Sequence, residues 1–320
     1  MRNDSIQIFV ATGRKMDFAI PSYCVPVETG SSFRMQHLDG YTRDDSGENI
    51  SAKNHEYCEL TALYWGWKNS DADIKGLCHY RRFFHKSDKV HIFPNYYLYG
   101  ADLLKSSPKE EQIRAMLSTA DIILPIPYNP YPKTVRTNLE AYVYKNDISI
   151  MEEVLQNMCA EYYPAYCAIM KRQRLSYCNM MIAKKEVYDT YCAWLFPLLH
   201  EIEKRTNLTG YDTMHRRIFG YLAEVLLPVY VEASHLKPVF LNLAQIWDLW
   251  NPDKKKENLV RIGNTIHLLE ELPLLSKAYY RYSERRYPDI YHSYCDLRDI
   301  LQKAEEETAA AHADSGRNKA

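Results

Sequence analysis

The order of elements along the chain predicts an α/β fold built on a doubly wound sheet with a parallel core. Two observations carry this. Short apolar runs alternate with stretches of helical periodicity, the pattern of strand–helix–strand units. One of those runs, Ile74 to Cys78, stops abruptly at His79-Tyr80-Arg81-Arg82. In open α/β sheets ligands lie beyond the carboxyl ends of the strands. Arginine is always charged and its planar fork suits phosphate, so two adjacent arginines there point to an anion, with a solvated basic turn as the alternative.

Each element follows in turn. Ile6 to Thr12 (I-Q-I-F-V-A-T) reads as the first strand, and Pro21 to Val27 as a second, closed by Glu28-Thr29-Gly30. Asp39 to Asn54 is polar and reads as a loop. From Glu56 to Trp67, Leu60, Leu63, Tyr64 and Trp67 recur at helical spacing. The Ile74 run is the next strand. Leu103 to Thr119 reads as helical, its second half opening at Pro108, and Asp121 to Pro125 as a strand. Tyr128 to Lys133 is a Pro/Tyr-rich loop of the kind that covers sites.

Glu140 to Tyr163 and Cys167 to Arg174 carry helical patterns, and Tyr177 to Ala183 reads as a strand. Glu186 to Arg205 is a long amphipathic helix, and Ile218 to Tyr230 is helical until Pro228. A charged connector at 253–257 leads to helical stretches over Ile266–Tyr282 and Tyr291–Ala304, and 305–320 is a polar, Ala-rich tail expected to be disordered. The predicted organisation is one large domain over 1–250, with halves at about 1–125 and 126–250, then a C-terminal helical region over 251–304.

The 320 residues carry 46% hydrophobic and 25% charged side chains, an ordinary soluble composition. A formal net charge of -1 supplies no basic field for nucleic acid. Eight cysteines form no C-x-x-C pair and no zinc-finger spacing. No secretory leader and no bilayer-length apolar run are read, so a cytoplasmic protein with reduced thiols is expected. Twenty-seven tyrosines against nine phenylalanines suit sugar and nucleotide pockets.

Metal-dependent nucleotide-sugar enzymes hold the donor diphosphate through a cation on D-x-D at a strand end. Asp71-Ala72-Asp73 has that pattern but precedes its strand, so it reads as a turn. Arg81 and Arg82 supply positive charge at the other end, which needs no metal. His79 is open between a phosphate contact, a metal ligand and a fold contact. Glu224 interrupts the apolar helix F-G-Y-L-A-E-V-L-L; it is either a site carboxylate or one partner of a core ion pair with Arg216 or Arg217. Asp212, in G-Y-D-T, is a second candidate base or a helix N-cap.

These blocks resemble a bacterial family of capsular and exopolysaccharide glycosyltransferases, long catalogued as a domain of unknown function. Its hallmark G-L-x-H-Y-R-R-[FY]-[FY] is matched by Gly76 to Phe84. N-I-S-x-K-N and Y-C-E-L-T-A-x-Y-W-x-W-K-N are matched by Asn49–Asn54 and Tyr57–Asn69. Asn179–Ile182, Tyr191–Phe196 and Arg217–Leu226 match later blocks, so the likeness spans roughly residues 5 to 235. Two departures stand out: Gly13-Arg14-Lys15 replaces a usual His-Lys after Ala11-Thr12, and Val225 replaces a usual Arg.

The resemblance implies a GT-A-like transferase with a nucleotide-binding half and a helical acceptor-side half. It implies transfer from a UDP-sugar, UDP-galactofuranose first, with inversion to a β linkage, onto a glycan or lipid-linked glycan. It places Thr12, Asn49, Lys53, His79, Tyr80, Arg81, Arg82 and Asn179 against the donor, with no metal favoured. An inverting transfer needs a carboxylate to take the acceptor proton, for which Glu224 and Asp212 are the candidates. The C-terminal Tyr/Arg-rich helices read as a packing or dimerisation region, ahead of a surface resting peripherally on the inner membrane face. The alternative is a non-catalytic carbohydrate-binding or scaffold protein on the same fold, which UDP binding would separate.

Overall fold

Strand β1 (Ile6–Thr12) is apolar almost throughout because both of its faces are covered. Phe9 meets Trp65 and Tyr188 edge-on on one face, while Ile8 lies with Tyr23 and Cys78 on the other. The computed structural model describes residues 4–87, 95–98, 100–128 and 133–246. The chain forms two units, 1–96 with 100–245, and 97–99 with 246–320; the second lies almost wholly outside the described residues. The C-terminal helices, the charged connector and the tail read from the sequence lie outside the described residues, and so does most of the Pro/Tyr-rich loop.

In the first unit β2 (Cys24–Glu28) and β4 (Ile74–His79) flank β1 in parallel, and β3 (Thr42–Arg43) joins β2. Beyond β4 come β8 (Met181–Lys184), β7 (Ile122–Pro125) and β9 (Pro238–Leu241). The sheet order is therefore β3-β2-β1-β4-β8-β7-β9. β8 runs antiparallel to both neighbours, so one reversed strand is set into the parallel core that the sequence predicted. At its carboxyl end β4 folds back into β5 (Arg82–Phe84), which pairs with β10 (Leu243–Ile246); β6 (Asn95–Leu98) is a further strand.

Helices cover the sheet. α1 (Asn54–Tyr57) and α2 (Leu60–Asn69) replace the continuous helix read from the sequence. The break is at Cys58, at φ 51° and ψ -125°, whose carbonyl accepts from the Asn54 side chain at 2.7 Å. α2 lies so close to β1 that a Cβ on Gly66 would meet the Phe9 ring at 2.2 Å. α3 (Leu103–Ser106) and α4 (Glu110–Thr119) are separated at Pro108. α5 (Val135–Leu139), α6 (Lys145–Met158) and α7 (Tyr163–Met170) follow β7.

α8 (Lys185–Arg205) buries Tyr188, Tyr191, Leu195 and Leu199, and α9 (Ile218–Ala233) is apolar on nearly every side because the core surrounds it. α9 continues past Pro228, where the sequence predicted its end, since burial on all sides outweighs one missing N–H. The strand read over Tyr177–Ala183 starts only at Met181. Cys178 and Asn179 stand at φ 80° and 52°, a left-handed turn that no pleated strand accommodates. Among the described residues no helix is long and apolar enough to cross a membrane.

Candidate active site

The carboxyl ends of β1 and β4 lie side by side, with Ala11 opposite His79 and the Tyr80 amide donating to the Ala11 carbonyl at 3.1 Å. The β4–β5 turn then presents Tyr80 and Arg81, and Arg82 opens β5. The Arg14 guanidinium lies 4.5 Å from the Tyr80 ring centre and donates to its hydroxyl at 3.1 Å; Arg81 lies 4.9 Å from the same ring. Two cations thus gather on one tyrosine at the edge where open α/β sheets hold ligands.

Beside them opens a cavity of about 330 Å³, within the size range of small-molecule sites. Arg81, Arg82 and Arg217 supply its positive charge, and Glu224 is its carboxylate. Tyr128, Tyr142, Tyr177 and Tyr221 give it aromatic walls, and Asn138 closes one side. Its residues come from five places: the β4–β5 turn, the end of β7, α5, the turn before β8, and α9. Among the described residues none of the three arginines has a carboxylate within ion-pairing distance. Arg217 donates instead to the Cys58 sulfur at 3.2 Å.

Glu224 accepts the backbone N–H of Cys178 at 3.1 Å. Burial, and then the negative charge of Glu59, push its carboxyl up to about 7, against the pull of Arg82 and Arg217. Such a group exchanges a proton readily near neutrality. Pro228, one turn along α9, has no N–H for the Glu224 carbonyl, so the helix is locally unbonded at this residue.

The turn carrying Cys178 is held from three directions. The His79 Nε2 lies 2.6 Å from the Cys178 carbonyl, which only accepts, so Nε2 carries the hydrogen. Burial lowers the His79 pKa and keeps the ring neutral. Asn179 donates to Glu59 at 2.7 Å and to the Gly220 carbonyl at 2.9 Å, and its own side-chain oxygen is buried without a partner among the described residues. His79 and Asn179, both read as donor contacts, therefore meet the turn that supports Glu224.

Other sequence candidates have partners of their own. Thr12 is buried and bonds the carbonyl of Arg14 at 2.6 Å. Asn49 braces its loop through the carbonyls of Asp45 and Gly47. Lys53 pairs with Glu203 at 2.5 Å. Asp212 is an exposed cap: it accepts from the amides of Met214 and His215 and pairs with the His215 ring at 2.9 Å, and these contacts hold its pKa low. A low pKa and a full set of partners suit a cap better than a base. Glu56 takes Arg216, which removes that partner from Glu224.

Asp71 and Asp73 lie at the opposite end of β4, bonded to Lys185 and Ser5. Among the described residues no three His, Cys, Asp or Glu side chains are grouped to hold a metal. Arg217, Tyr128 and Tyr177 belong to the cavity without having been selected as site residues from the sequence. Arg217 sits in the same block as Glu224, and Tyr128 in the loop marked as a site cover; these were the available signals.

This sheet order, with one reversed strand next to the central pair, and a cationic cavity at the carboxyl edge define a GT-A-like fold. A solved structure described as the WbbM bifunctional glycosyltransferase has the same fold, with a TM-score of 0.69 and 25% identity. The match covers 77% of this chain and 46% of that one, so the chain spans less than half the length of that protein. No curated protein matches the chain. Residues 7–235 match the family described as "Domain of unknown function (DUF4422)", and the chain belongs to that family.

Proposed function

We propose that the protein is a glycosyltransferase that moves a sugar from a UDP-sugar to a glycan or lipid-linked glycan in capsular, exopolysaccharide or O-antigen synthesis. UDP-galactofuranose, transferred with inversion to a β linkage, is the donor that the G-L-x-H-Y-R-R blocks suggest. The observation that carries the reading is Glu224: a carboxyl near neutrality in the same cavity as three arginines without carboxylate partners among the described residues. The likeness in fold to a glycosyltransferase supports it.

In this reading the charged groups of the cavity divide the chemistry between them. Ionised Glu224 takes the proton from the acceptor hydroxyl as its oxygen attacks the anomeric carbon. The bond from that carbon to the diphosphate oxygen breaks, and its electron pair leaves with UDP. Arg81 and Arg82 stabilise the charge that develops there, the part a D-x-D-bound cation has in other nucleotide-sugar enzymes. Peripheral membrane contact and self-association belong to the same reading through the C-terminal region. A screen of UDP-sugars with varied acceptors, with and without EDTA, tests it by following UDP release. No UDP release with any donor, together with no UDP binding in calorimetry, would refute it and favour the non-catalytic alternative.

A further inference from the structure

Two aromatic pairs join the segment after α5 to the first turn of α9 and the turn that leads into it. The inner pair, Tyr142 and Tyr221, has ring centres 5.2 Å apart and lines the cavity. The outer pair, Tyr144 and His215, is stacked at 4.4 Å with planes 5° apart, and Tyr211 meets Tyr144 edge-on at 5.0 Å. Tyr144 is 44% exposed, so an aromatic surface faces solvent just outside the cavity wall.

This surface is built rather than incidental. Asp147 is 1% exposed and accepts the Tyr211 hydroxyl at 2.6 Å, while its other oxygen has no partner among the described residues. Burying a carboxylate is costly, and here the burial fixes a tyrosine of the platform. Asp212 fixes the other ring, through the His215 side chain at 2.9 Å and its amide at 2.8 Å. Two carboxylates thus hold a ring cluster that packs no core.

We propose that Tyr144, His215 and Tyr211 form a remote subsite for the acceptor glycan, gripping a sugar residue behind the one that reacts at Glu224. The inference rests on the transferase reading above and adds to it where the rest of the acceptor lies. Sugar rings present C–H faces that pack on aromatic faces, with hydroxyls left at the rim for water and polar groups. Both pairs join residues 142–144 to the continuous stretch 215–221 that runs into α9, so the aromatic surface runs from the reaction cavity outward. From His215 to Tyr221 the chain advances on the order of 10 Å along the helix axis, the length of a short run of sugar residues.

The test is calorimetric titration of the UDP-saturated full chain with galacto-oligosaccharides from mono- to tetrasaccharide. Wild-type affinity is expected to rise about three- to tenfold along the series, the scale of one aromatic contact. Tyr144→Ala abolishes that rise, and Tyr144→Trp restores it. A flat series in the wild type, or a rise that survives in Tyr144→Ala, overturns the subsite while UDP binding leaves the transferase reading standing. A change of oligomeric state in Tyr144→Ala assigns the surface to a second copy of the chain and also overturns it. Failure of the wild type to bind UDP removes the transferase reading and the subsite with it.

Discussion

Replacing Glu224 by Gln separates stability from turnover, because the same burial raises the pKa and strains the fold. The carboxyl stands at about 7 in the folded chain against an ordinary 4.5. Below about pH 4.5 it is protonated in both folded and unfolded chains and contributes nothing. Above about pH 7 it is ionised in both, and the fold then carries the cost of a desolvated charge beside Glu59. The sign is opposite to that of a salt-bridged carboxylate: stability is lost as pH rises through the interval. The difference corresponds to about 3 kcal/mol at alkaline pH.

Glu224→Gln keeps an oxygen for the Cys178 amide and removes the charge. Its melting temperature should exceed the wild type's by roughly 6–10 °C near pH 8.5 and by little near pH 5. Turnover should fall about 10²- to 10⁴-fold, the usual worth of a general base. The assays are paired thermal melts across pH and UDP release at saturating donor. Equal melting differences at both pH values would refute the desolvated-carboxylate argument. Near-normal turnover would refute the assignment of the base.

Further outcomes follow from the same contacts. Arg81→Ala and Arg82→Ala should each weaken UDP binding about ten- to a hundredfold, the worth of a charge-assisted hydrogen bond; unchanged affinity in titration calorimetry would sink the clamp. In Glu59→Gln the charge that raises Glu224 is gone, so the acid limb of the pH–rate profile should move to lower pH, and a limb that stays in place would remove Glu59 from the account. Gly66→Ala should cost about 1–3 kcal/mol in denaturant unfolding, since its Cβ would meet the Phe9 ring at 2.2 Å; no loss would mean that α2 shifts freely.

Local pattern made much of the fold legible. β1, β4 and β7 were readable as apolar runs, and α8 and α9 as long helical patterns. What stayed hidden depends on distant partners. β8 reads as a strand either way round, since period and apolarity do not encode direction. Cys178 and Asn179 look like strand residues, and contacts from distant residues, among them His79, Glu59, Gly220 and Glu224, hold them in a left-handed turn. No glycine or proline marks the break at Cys58. At the site, H-Y-R-R was legible because charge at the end of a buried run has few explanations. The meeting of residues 82, 128, 178, 217 and 224 was not, since it joins segments far apart in sequence. Asp212 and Lys53 show the converse: the right residue types, already engaged by neighbours.

The contact that seats Glu224 is made to a main-chain amide, at position 178. Every residue but proline offers that amide, so the carboxylate is seated without help from the side chain at 178, although the φ of 80° there restricts which residues hold the turn without strain. Sequence change around the cavity can therefore reshape what the tyrosines and arginines recognise while the acid stays where it is. What must be preserved is the path of the backbone through 178 and 179, and that path is tied by the His79 ring to the Cys178 carbonyl and by the Asn179 side chain to Glu59 and the Gly220 carbonyl.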